Sequence, residues 1–474
     1  MPYPGAMRLY DSLTRTLQEV DPIEPGHVKM YACGPTVYRY AHLGNLRSFM
    51  LYDLIRRALE LEGYDVTEVM NITDVGHMTD ESSAEAVDKM QLATEDEGLT
   101  PEQIAQKYTD AVFDDASALG IRPADRYPKA TEHIQEMIDV TQTLVDKGHA
   151  YVVDNGSVYY DVTSFDGYGK LSGNTLENLR EGHRDLETDP RKRHPADFAL
   201  WKAAGPGRLM RWESPWGEGF PGWHIECSAM SMKYLGDRFD IHTGGTDLRF
   251  PHHEDEIAQS EGAVGHQVVS IWVHAGHLRQ SGQKIAKSTG NVILVQDLRD
   301  RGFDPLSFRW LCFQTQYRSE MDFTWDAMAA ADQRVKQLRK HMVEWAPAAT
   351  DLGDAAKAYD ARVREALAND LHMPGVVAIV NELDRDAAVP ASQKYRLLAG
   401  EGDALGWDHV LGLDLERDAT SNWEPTPEMR ALMAERDVAR AAKDYARSDA
   451  LRGELAAMGL EVMDTSQGTS VRPR

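Results

Sequence analysis

The spacing of apolar and polar positions predicts a strand, a long helix and a second strand near the start of the chain. Residues 28–32 form a short, mostly apolar run, and apolar side chains recur at helical intervals over residues 45–62. Gly63 is expected to end this helix, and residues 65–72 have the pattern of the next strand. This order is a βαβ unit, which indicates a parallel sheet with a right-handed crossover.

The connection between the first strand and the helix, residues 31–45, carries much of the polar chemistry of this region. It contains Cys33, His42, two glycines and a proline. In open α/β sheets such connections bind ligands, because the amide groups at a helix N-terminus point into the crevice beside the strand ends. We therefore expect residues 31–45 to form half of an active site.

The remaining pattern predicts further helices and strands with a change of texture in the middle of the chain. Asn155-Gly156 indicates a hairpin turn between two β-rich arms, and the chain after Pro305 is expected to be helical almost to its end. The other elements predicted are helices at 79–120, 130–147, 223–236 and 252–261, strands at 239–242 and 268–274, a glycine-rich loop at 243–247 and a basic loop at 278–291.

Composition narrows the class of protein. With 474 residues the chain is too long for a single hydrophobic core. A formal net charge of −25 argues against a protein that coats nucleic acid through charge alone, although it leaves room for a local basic groove. Cys33, Cys227 and Cys312 are too few for a disulfide framework and indicate a reducing compartment. No apolar segment typical of a signal peptide or a membrane span is present, so we expect a cytoplasmic protein.

Four residues have the chemistry of a zinc site. Cys33 follows a predicted strand, Cys227 lies early in a helix, and His252 and Glu256 share one helix face. Two thiolates, an imidazole and a carboxylate are typical zinc ligands. Spacing alone leaves two alternatives open, a metal shell or a set of satisfied core residues. His253 is a competing ligand that the spacing does not exclude.

Two separate motifs have the chemistry of a polyphosphate site. His42-Leu-Gly-Asn45 opens a helix, where Gly44 permits close approach of a ligand to the backbone and His42 can donate to a phosphate. Downstream, Lys284 and Lys287 lie in a glycine-flanked loop suited to stabilise charge on a leaving group. Each motif alone is weak, because paired lysines are usually only solvated, but together they indicate nucleotide chemistry.

With these motifs the chain resembles the cysteinyl-tRNA synthetases, a family of class I aminoacyl-tRNA synthetases. His42-Leu-Gly-Asn45 resembles the HIGH signature of that class, and Lys284-Ile-Ala-Lys-Ser288 resembles its KMSKS loop. The match extends over nearly the whole chain. The blocks that resemble the zinc-holding segments of the family are residues 30–38, 222–230 and 250–257, and further similar segments are 197–202 and 435–443.

The resemblance implies a set of zinc ligands and a reaction. It assigns Cys33, Cys227, His252 and Glu256 to one zinc ion and leaves His253 outside the shell. In this family the zinc holds the substrate thiolate, because zinc prefers a soft thiolate to the neutral hydroxyl of serine. The implied reaction is ATP-dependent activation of L-cysteine to cysteinyl-adenylate, with Mg²⁺ accompanying ATP, followed by transfer to tRNA(Cys).

The same resemblance implies substrate contacts at further positions. The implied catalytic residues are His42, Asn45, Lys284 and Lys287. The implied cysteine pocket is lined by Gly34, Thr73 and Trp223. The residues implied for ATP binding are Pro35, His42, Gly44, Asn45, His242, Gly245, Asp247, Lys284, Lys287 and Ser288.

The sequence departs from the family pattern in two places. Ile285 and Ala286 stand where the loop signature has Met and Ser, which bears on loop closure, although both lysines are present. After residues 71–74 comes Val75-Gly-His-Met78, where the family more often has an acidic, lysine-containing run. The sequence alone provides no physical account of this second change.

The expected fold class is α/β: a Rossmann-type parallel sheet split by an inserted domain, followed by an all-α bundle and a small C-terminal module. The predicted boundaries are 1–120 and 216–275 for the two halves of the catalytic domain, 121–215 for the inserted connective domain, 276–330 for the KMSKS-like loop and a stem-contact region, 331–420 for a helical tRNA-binding bundle and 421–474 for an anticodon-binding module.

The C-terminal module bears on the acceptor of the reaction. Arg436, Arg440, Lys443 and Arg447 are predicted to share one helical stripe, which either contacts anticodon phosphates or is a solvated face. A mycothiol-type cysteine ligase, which uses an amino-sugar acceptor, resembles only the earlier part of this chain, so the module favours tRNA.

Two further alternatives are disfavoured by the site residues. The intact lysine and histidine motifs argue against a catalytically silent tRNA-binding paralogue. Four protein ligands leave no obvious activated water on a zinc ion, and no nearby base is evident, which argues against a zinc hydrolase. We expect a monomer that binds ATP, L-cysteine and tRNA(Cys), with no membrane partner.

Overall fold

The computed structural model describes residues 7–77, 88–178, 189–280, 283–284, 292–345, 351–402, 404–417, 427–442, 444–458, 460–465 and 468–473. The chain divides into two units, Met1–Leu415 and Glu416–Arg474. The described strands of the first unit are β1 (Arg8–Asp11), β2 (Thr16–Glu19), β3 (His27–Ala32), β4 (Asp65–Met70), β5 (Ala150–Val152), β6 (Val158–Tyr160), β7 (Phe198–Ala203), β8 (Gly219–Pro221), β9 (Phe239–Gly245), β10 (Val269–Ala275), β11 (Leu278–Gln280), β12 (Gln283–Lys284), β13 (Met321–Phe323), β14 (Gly400–Glu401) and β15 (Ala404–Leu405).

The helices described in the first unit are α1 (Leu43–Leu61), α2 (Lys89–Glu97), α3 (Pro101–Ala118), α4 (Ile134–Asp146), α5 (Trp223–Leu235), α6 (His252–Val264), α7 (Val295–Asp300), α8 (Ser307–Phe313), α9 (Trp325–Trp345), α10 (Asp354–Ala368), α11 (Met373–Arg385), α12 (Ala391–Ala399) and α13 (Trp407–Leu411). The second unit contains α14 (Pro427–Ala441), α15 (Tyr445–Ala457), β16 (Leu460–Thr465) and β17 (Gly468–Pro473).

A parallel sheet in the order β10–β9–β3–β4 confirms the predicted α/β class. Helix α1 connects β3 to β4, as the βαβ pattern predicted. The carboxyl ends of β3 and β9 lie side by side, with Ala32 opposite Thr243. The connection after β3 and the residues after β9 therefore meet at the same edge of the sheet.

Helix α1 begins at residues whose side chains cap it. His42 Nδ1 accepts a hydrogen bond from the Asn45 N–H at 3.2 Å, and Asn45 Oδ1 accepts one from the His42 N–H at 3.2 Å. This reciprocal capping box satisfies two backbone amides that have no partner within the helix. At the other end Gly63 adopts a φ of +90°, which ends the helix where the sequence predicted.

Strand β9 is longer than predicted. The sequence predicts a loop from Thr243 onward, but the strand runs to Gly245 because its backbone stays paired with β10. A side chain at Gly244 would come within 2.5 Å of the His253 ring. Gly244 therefore allows α6 to pack close to the sheet. The glycine content of this stretch is the reason that its sequence resembles a loop.

An antiparallel sheet in the order β5–β6–β7–β8 lies between β4 and β9 in the chain. Its first hairpin turns at the predicted dipeptide, where Asn155 Oδ1 accepts a hydrogen bond from the Ser157 N–H at 3.0 Å and Gly156 has a φ of +86°. The sheet extends to Pro221, beyond the predicted end of the insertion at residue 215, because β8 pairs with β7.

The start of the insertion also differs from the predicted boundary at residue 121. Arg126 pairs with Val69 and Lys129 pairs with Ile72, both in parallel orientation. These pairings continue the edge of the parallel sheet beside β4. Residues 126 and 129 therefore belong structurally with the parallel sheet rather than with the insertion.

Helices dominate the first unit after Pro305, as predicted, and their apolar faces join those of α1 in one continuous core. Short strands interrupt them: β13 pairs with β11, and β14 pairs with β15. Within the described ranges, no helix combines the length and the apolar character needed to cross a membrane.

The second unit consists of two helices and the antiparallel hairpin β16–β17. The predicted single basic stripe is wrong, because Arg436 and Arg440 lie on α14 whereas Arg447 lies on α15; Lys443 falls outside the described residues. Arg436 is 2% exposed, and its guanidinium donates to the Thr469 hydroxyl at 2.7 Å. This arginine joins α14 to the hairpin instead of facing solvent.

A buried carboxylate links α1 to α8. Asp53 on α1 accepts a hydrogen bond from Arg57 Nε at 2.7 Å and lies 2.8 Å from a guanidinium nitrogen of Arg309. Burial raises the pKa of Asp53, but the charges of Arg309 and Arg57 outweigh burial and hold its pKa below the usual value. The ionised carboxylate therefore stabilises the fold above about pH 4, and this contribution is lost as the pH falls through the lowered pKa.

We expect Asp53→Asn to lower the free energy of unfolding by about 3–5 kcal/mol, because it leaves buried guanidinium groups without their counter-charge. Urea denaturation followed by circular dichroism measures the change. Glu382→Gln is the matched control, since it removes an exposed ion pair with Arg362 at 2.6 Å and should leave the midpoint unchanged. An equal shift in both variants would contradict the structural role of Asp53.

Candidate active site and metal centre

A cleft of about 290 Å³ opens at the carboxyl ends of β3 and β9. The N-terminus of α1 forms one wall and the start of α5 forms another. The predicted site residues that line it are Cys33, Gly34, Pro35, His42, Gly44, Asn45, Trp223, Gly245 and Asp247. The structure thus brings most of the residues predicted for the two small substrates to one cavity.

Two residues predicted to contact substrates do not line this cleft. Thr73 is buried, and its hydroxyl donates to Glu226 at 2.8 Å. His242 is also buried, with its ring stacked on Trp272 at 4.4 Å between centroids and its Nε2 2.8 Å from Glu256 Oε2. The Thr73 hydroxyl and His242 Nε2 are directed to other buried side chains, so these two residues lie behind the cleft.

The predicted lysine loop lies largely outside the described residues. Lys287 and Ser288 fall in the undescribed range 285–291, and of Lys284 only the backbone is described. That backbone pairs with Arg279 in the β11–β12 hairpin. Leu278, the first residue of β11, lines the cleft, so the hairpin begins at its edge. The roles of Lys284, Lys287 and Ser288 stay predictions.

Four side chains from three parts of the chain meet beside the cleft. Cys33 follows β3, Cys227 lies on α5, and His252 and Glu256 lie on α6. Their ligand atoms are buried and lie within 4.8 Å of one another. The two Sγ atoms are 3.9 Å apart, Cys33 Sγ is 3.8 Å from Glu256 Oε1, and His252 Nε2 is 3.2 Å from Glu256 Oε1.

These separations fit a tetrahedral zinc shell. Zinc lies about 2.3 Å from sulfur and about 2.1 Å from nitrogen or oxygen, so its ligand atoms are roughly 3.4–3.8 Å apart at tetrahedral angles. Three of the six separations in the cluster are 3.2, 3.8 and 3.9 Å, and all six are within 4.8 Å. The residues present therefore fit zinc in both chemistry and spacing.

The electrostatics of the cluster favour a cation. Burial raises the pKa of Cys33 well above its usual value, and the neighbouring Cys227 and Glu256 raise it further. Burial lowers the pKa of His252 well below its usual value, so its imidazole is neutral. Zinc binds neutral imidazoles and thiolates, and its positive charge offsets the cost of ionising the buried thiols.

A second group of possible ligands shares Cys33 and Glu256 and adds His242 and His253. His253 Nε2 is 3.2 Å from Cys33 Sγ, and its Nδ1 is 2.8 Å from His274 Nε2. His253 is therefore a competing ligand in the structure as it is in the sequence. Only the first group supplies two thiolates, the ligands that zinc prefers.

His77 and Glu226 are candidate site residues that the sequence analysis missed. His77 lines the cleft, and its Nε2 is 2.5 Å from Oε1 of Glu226, which is fully buried. Burial raises the pKa of Glu226, while the hydrogen bonds from His77 and Thr73 oppose this shift. The unexplained run at residues 75–78 was a signal for His77, but no pattern in the sequence pairs it with Glu226.

Comparison with known proteins agrees with this geometry. Residues 19–333 match the model of the class I (C) tRNA synthetase catalytic domain. The fold is similar to a methionyl-tRNA synthetase of Mycobacterium tuberculosis in complex with methionyl-adenylate, with a TM-score of 0.55 and 14% identity over 82% of this chain and 91% of that chain. It is also similar to a LeuRS of Agrobacterium radiobacter in a ternary complex with tRNA and LeuAMS, with a TM-score of 0.57 and 11% identity over 85% and 86%. The fold and the site define a class I aminoacyl-tRNA synthetase.

The particular family follows from matches over the whole length. Residues 424–472 match the cysteinyl-tRNA ligase anticodon binding domain. The chain is 43% identical to the cysteine–tRNA ligase of Salinibacter ruber, covering 99% of this chain and 98% of that protein. It is 44% identical to the cysteine–tRNA ligase of Thermus thermophilus, covering 97% and 98%. The chain belongs to the cysteinyl-tRNA ligase family, as its motifs predicted.

Proposed function

We propose that this protein activates L-cysteine with ATP to form cysteinyl-adenylate and transfers the cysteinyl group to tRNA(Cys). The observation that carries the proposal is the meeting, around one cleft, of the buried group formed by Cys33, Cys227, His252 and Glu256 with the capped N-terminus of α1. The buried group has the chemistry to select a thiol, and the helix end has the chemistry to hold phosphates.

The same four residues would hold one zinc ion. When bound, zinc supplies a site that prefers the thiolate of cysteine to the hydroxyl of serine, two groups that an apolar pocket separates poorly. Trp223 lines the cleft with its ring centroid 4.7 Å from that of His252. The indole therefore shields this side of the amino-acid site from water.

At the other end of the cleft, the N-terminus of α1 serves ATP. The cap uses His42 Nδ1, so Nε2 is the ring nitrogen that would donate to a phosphate. The helix dipole adds favourable potential for the triphosphate, and Mg²⁺ accompanies it. Lys284 and Lys287 would stabilise the leaving pyrophosphate. The cysteine carboxylate attacks the α-phosphorus, so the reaction needs positioning and charge stabilisation rather than an enzyme nucleophile.

Pyrophosphate exchange followed by acceptor assays tests this function. We expect ATP–pyrophosphate exchange that depends on cysteine and not on serine, followed by charging of tRNA(Cys). Absence of exchange contradicts the proposal. Exchange with ligation to an amino-sugar and no charging of tRNA would assign the chain to the small-molecule ligases. We further propose that the protein acts as a monomer in the cytoplasm, which size-exclusion chromatography with light scattering tests for the oligomeric state.

A further inference from the structure

We infer that His77 binds the α-ammonium group of the cysteine substrate through its Nδ1 atom. The inference rests on the proposed function and adds a contact that would orient the amino acid for attack on ATP. It also gives a physical role to the Val75-Gly-His-Met78 run, which the sequence left without one.

Hydrogen bonds behind the cleft determine which nitrogen of the His77 ring carries the proton. Asn71 Nδ2 donates to the Thr73 hydroxyl at 3.0 Å, so the hydroxyl proton is directed to Glu226 Oε2, 2.8 Å away. Glu226 Oε1 lies 2.5 Å from His77 Nε2. A carboxylate can only accept hydrogen bonds, so Nε2 carries the ring proton and donates it. In a neutral imidazole the other nitrogen, Nδ1, is then an acceptor.

That acceptor has no partner within the described part of the chain. His77 Nδ1 is buried without a hydrogen bond, while the ring, 5% exposed, lines the cleft. A buried acceptor without a partner is unfavourable, so a bound donor would recover the lost free energy. Because the ring lines the cleft, a hydrogen-bond donor bound there is placed to be this partner.

The position of His77 identifies which substrate supplies the donor. Its ring centroid is 6.1 Å from that of Trp223, which in turn lies 4.7 Å from the ring of His252 in the metal group. His77 is thus on the amino-acid side of the cleft. The thiolate of cysteine would lie at the metal, and the carboxylate of cysteine can only accept hydrogen bonds. The α-ammonium is therefore the remaining donor of this substrate.

Residues on both sides of His77 hold its backbone in place. The guanidinium of Arg208, from the inserted domain, donates to the Gly76 carbonyl at 2.5 Å and pairs with Asp88 at 2.8 Å. The His77 carbonyl accepts a hydrogen bond from the Lys89 N–H at 2.9 Å. A side chain at Gly76 would come within 2.2 Å of the Asp88 carboxylate and would have to displace it. These contacts fix the point at which the imidazole enters the cleft.

Isothermal titration of the zinc-loaded protein with three thiols tests the inference. The thiols are cysteine, cysteamine, which lacks the carboxylate, and 3-mercaptopropionate, which lacks the amine. His77→Gln keeps a donor near the position of Nε2 for Glu226 and removes the acceptor at Nδ1. For His77→Gln we expect about 10- to 100-fold weaker binding of cysteine and cysteamine, which is the range for loss of a hydrogen bond to a charged group. The binding of 3-mercaptopropionate and of ATP should be unchanged.

A second variant and the metal content separate contact from folding. His77→Asn places an amide oxygen near the position of Nδ1 and should bind cysteine more tightly than His77→Gln does. Zinc content should equal that of the unmodified protein in both variants. Weaker binding of 3-mercaptopropionate with unchanged binding of cysteamine would place the carboxylate at His77 and overturn the inference. Equal weakening of the binding of all three thiols, or no change for any of them, would also overturn it. If the unmodified protein binds no cysteine, the proposed function itself fails.

Discussion

Cys227→Ser should empty the metal site and remove the recognition of cysteine. The substitution replaces one of two thiolates in a buried group whose Sγ atoms are 3.9 Å apart, and a serine hydroxyl is a poor zinc ligand. We expect bound zinc to fall from about one ion per chain to a small fraction of that value. The kcat/KM for cysteine in pyrophosphate exchange should fall roughly 10⁴-fold, the scale of discrimination that depends on one essential polar contact.

The KM of Cys227→Ser for ATP should change little. The capped start of α1, which is proposed to hold ATP, lines the cleft, whereas Cys227 does not. Cys312→Ser is the matched control, since Cys312 is also a buried thiol but lies on α8, outside the cluster. Zinc content by atomic emission and exchange kinetics should be unaltered in this control. A Cys227→Ser protein with a full complement of zinc would remove Cys227 from the shell.

His42→Asn should lower the kcat of pyrophosphate exchange by about 10²- to 10³-fold, the usual effect of deleting a donor to developing charge. Asparagine is a good N-cap residue, so the hydrogen bond to the Asn45 N–H can be kept while the donor at Nε2 is lost. We therefore expect the KM for cysteine, the zinc content and the urea midpoint to stay near those of the unmodified protein.

His42→Ala provides the comparison, because it loses both the phosphate donor and the cap. It should show the same loss of kcat together with a free energy of unfolding lower by about 1 kcal/mol. Exchange by His42→Asn at the unmodified rate would show that His42 only caps α1.

Local signals explain which parts of the site could be predicted from the sequence. The cap of α1 involves residues three positions apart, and Gly63 ends the helix through its own backbone conformation. His252 and Glu256 share a face of α6 because of helix periodicity, and their ligand atoms lie 3.2 Å apart. None of these features needs a contact from elsewhere in the chain.

Predictions that depended on distant partners were the ones that went wrong. The stretch from Thr243 to Gly245 is a strand because β10 pairs with it, and pairing across a sheet outweighs the low strand propensity of glycine. Arg436 was predicted to lie on a basic surface stripe, but the hairpin covers it and Thr469 accepts its hydrogen bond. In both cases the deciding neighbour lies outside the local pattern.

The sequence by itself determined the order of the helices and strands, the cap of α1 and the types of ligand atom available for a metal. Only the tertiary structure decided which buried polar groups meet. Cys33 lies beside Cys227, 194 positions away, and His77 bonds to Glu226, 149 positions away, while its Nδ1 has no partner among the residues that the structure describes. Helical periodicity and capping arise from neighbours within about one turn. A buried polar group instead takes whatever partner packing brings to it from any part of the chain, so its role can be assigned only once the chain is folded.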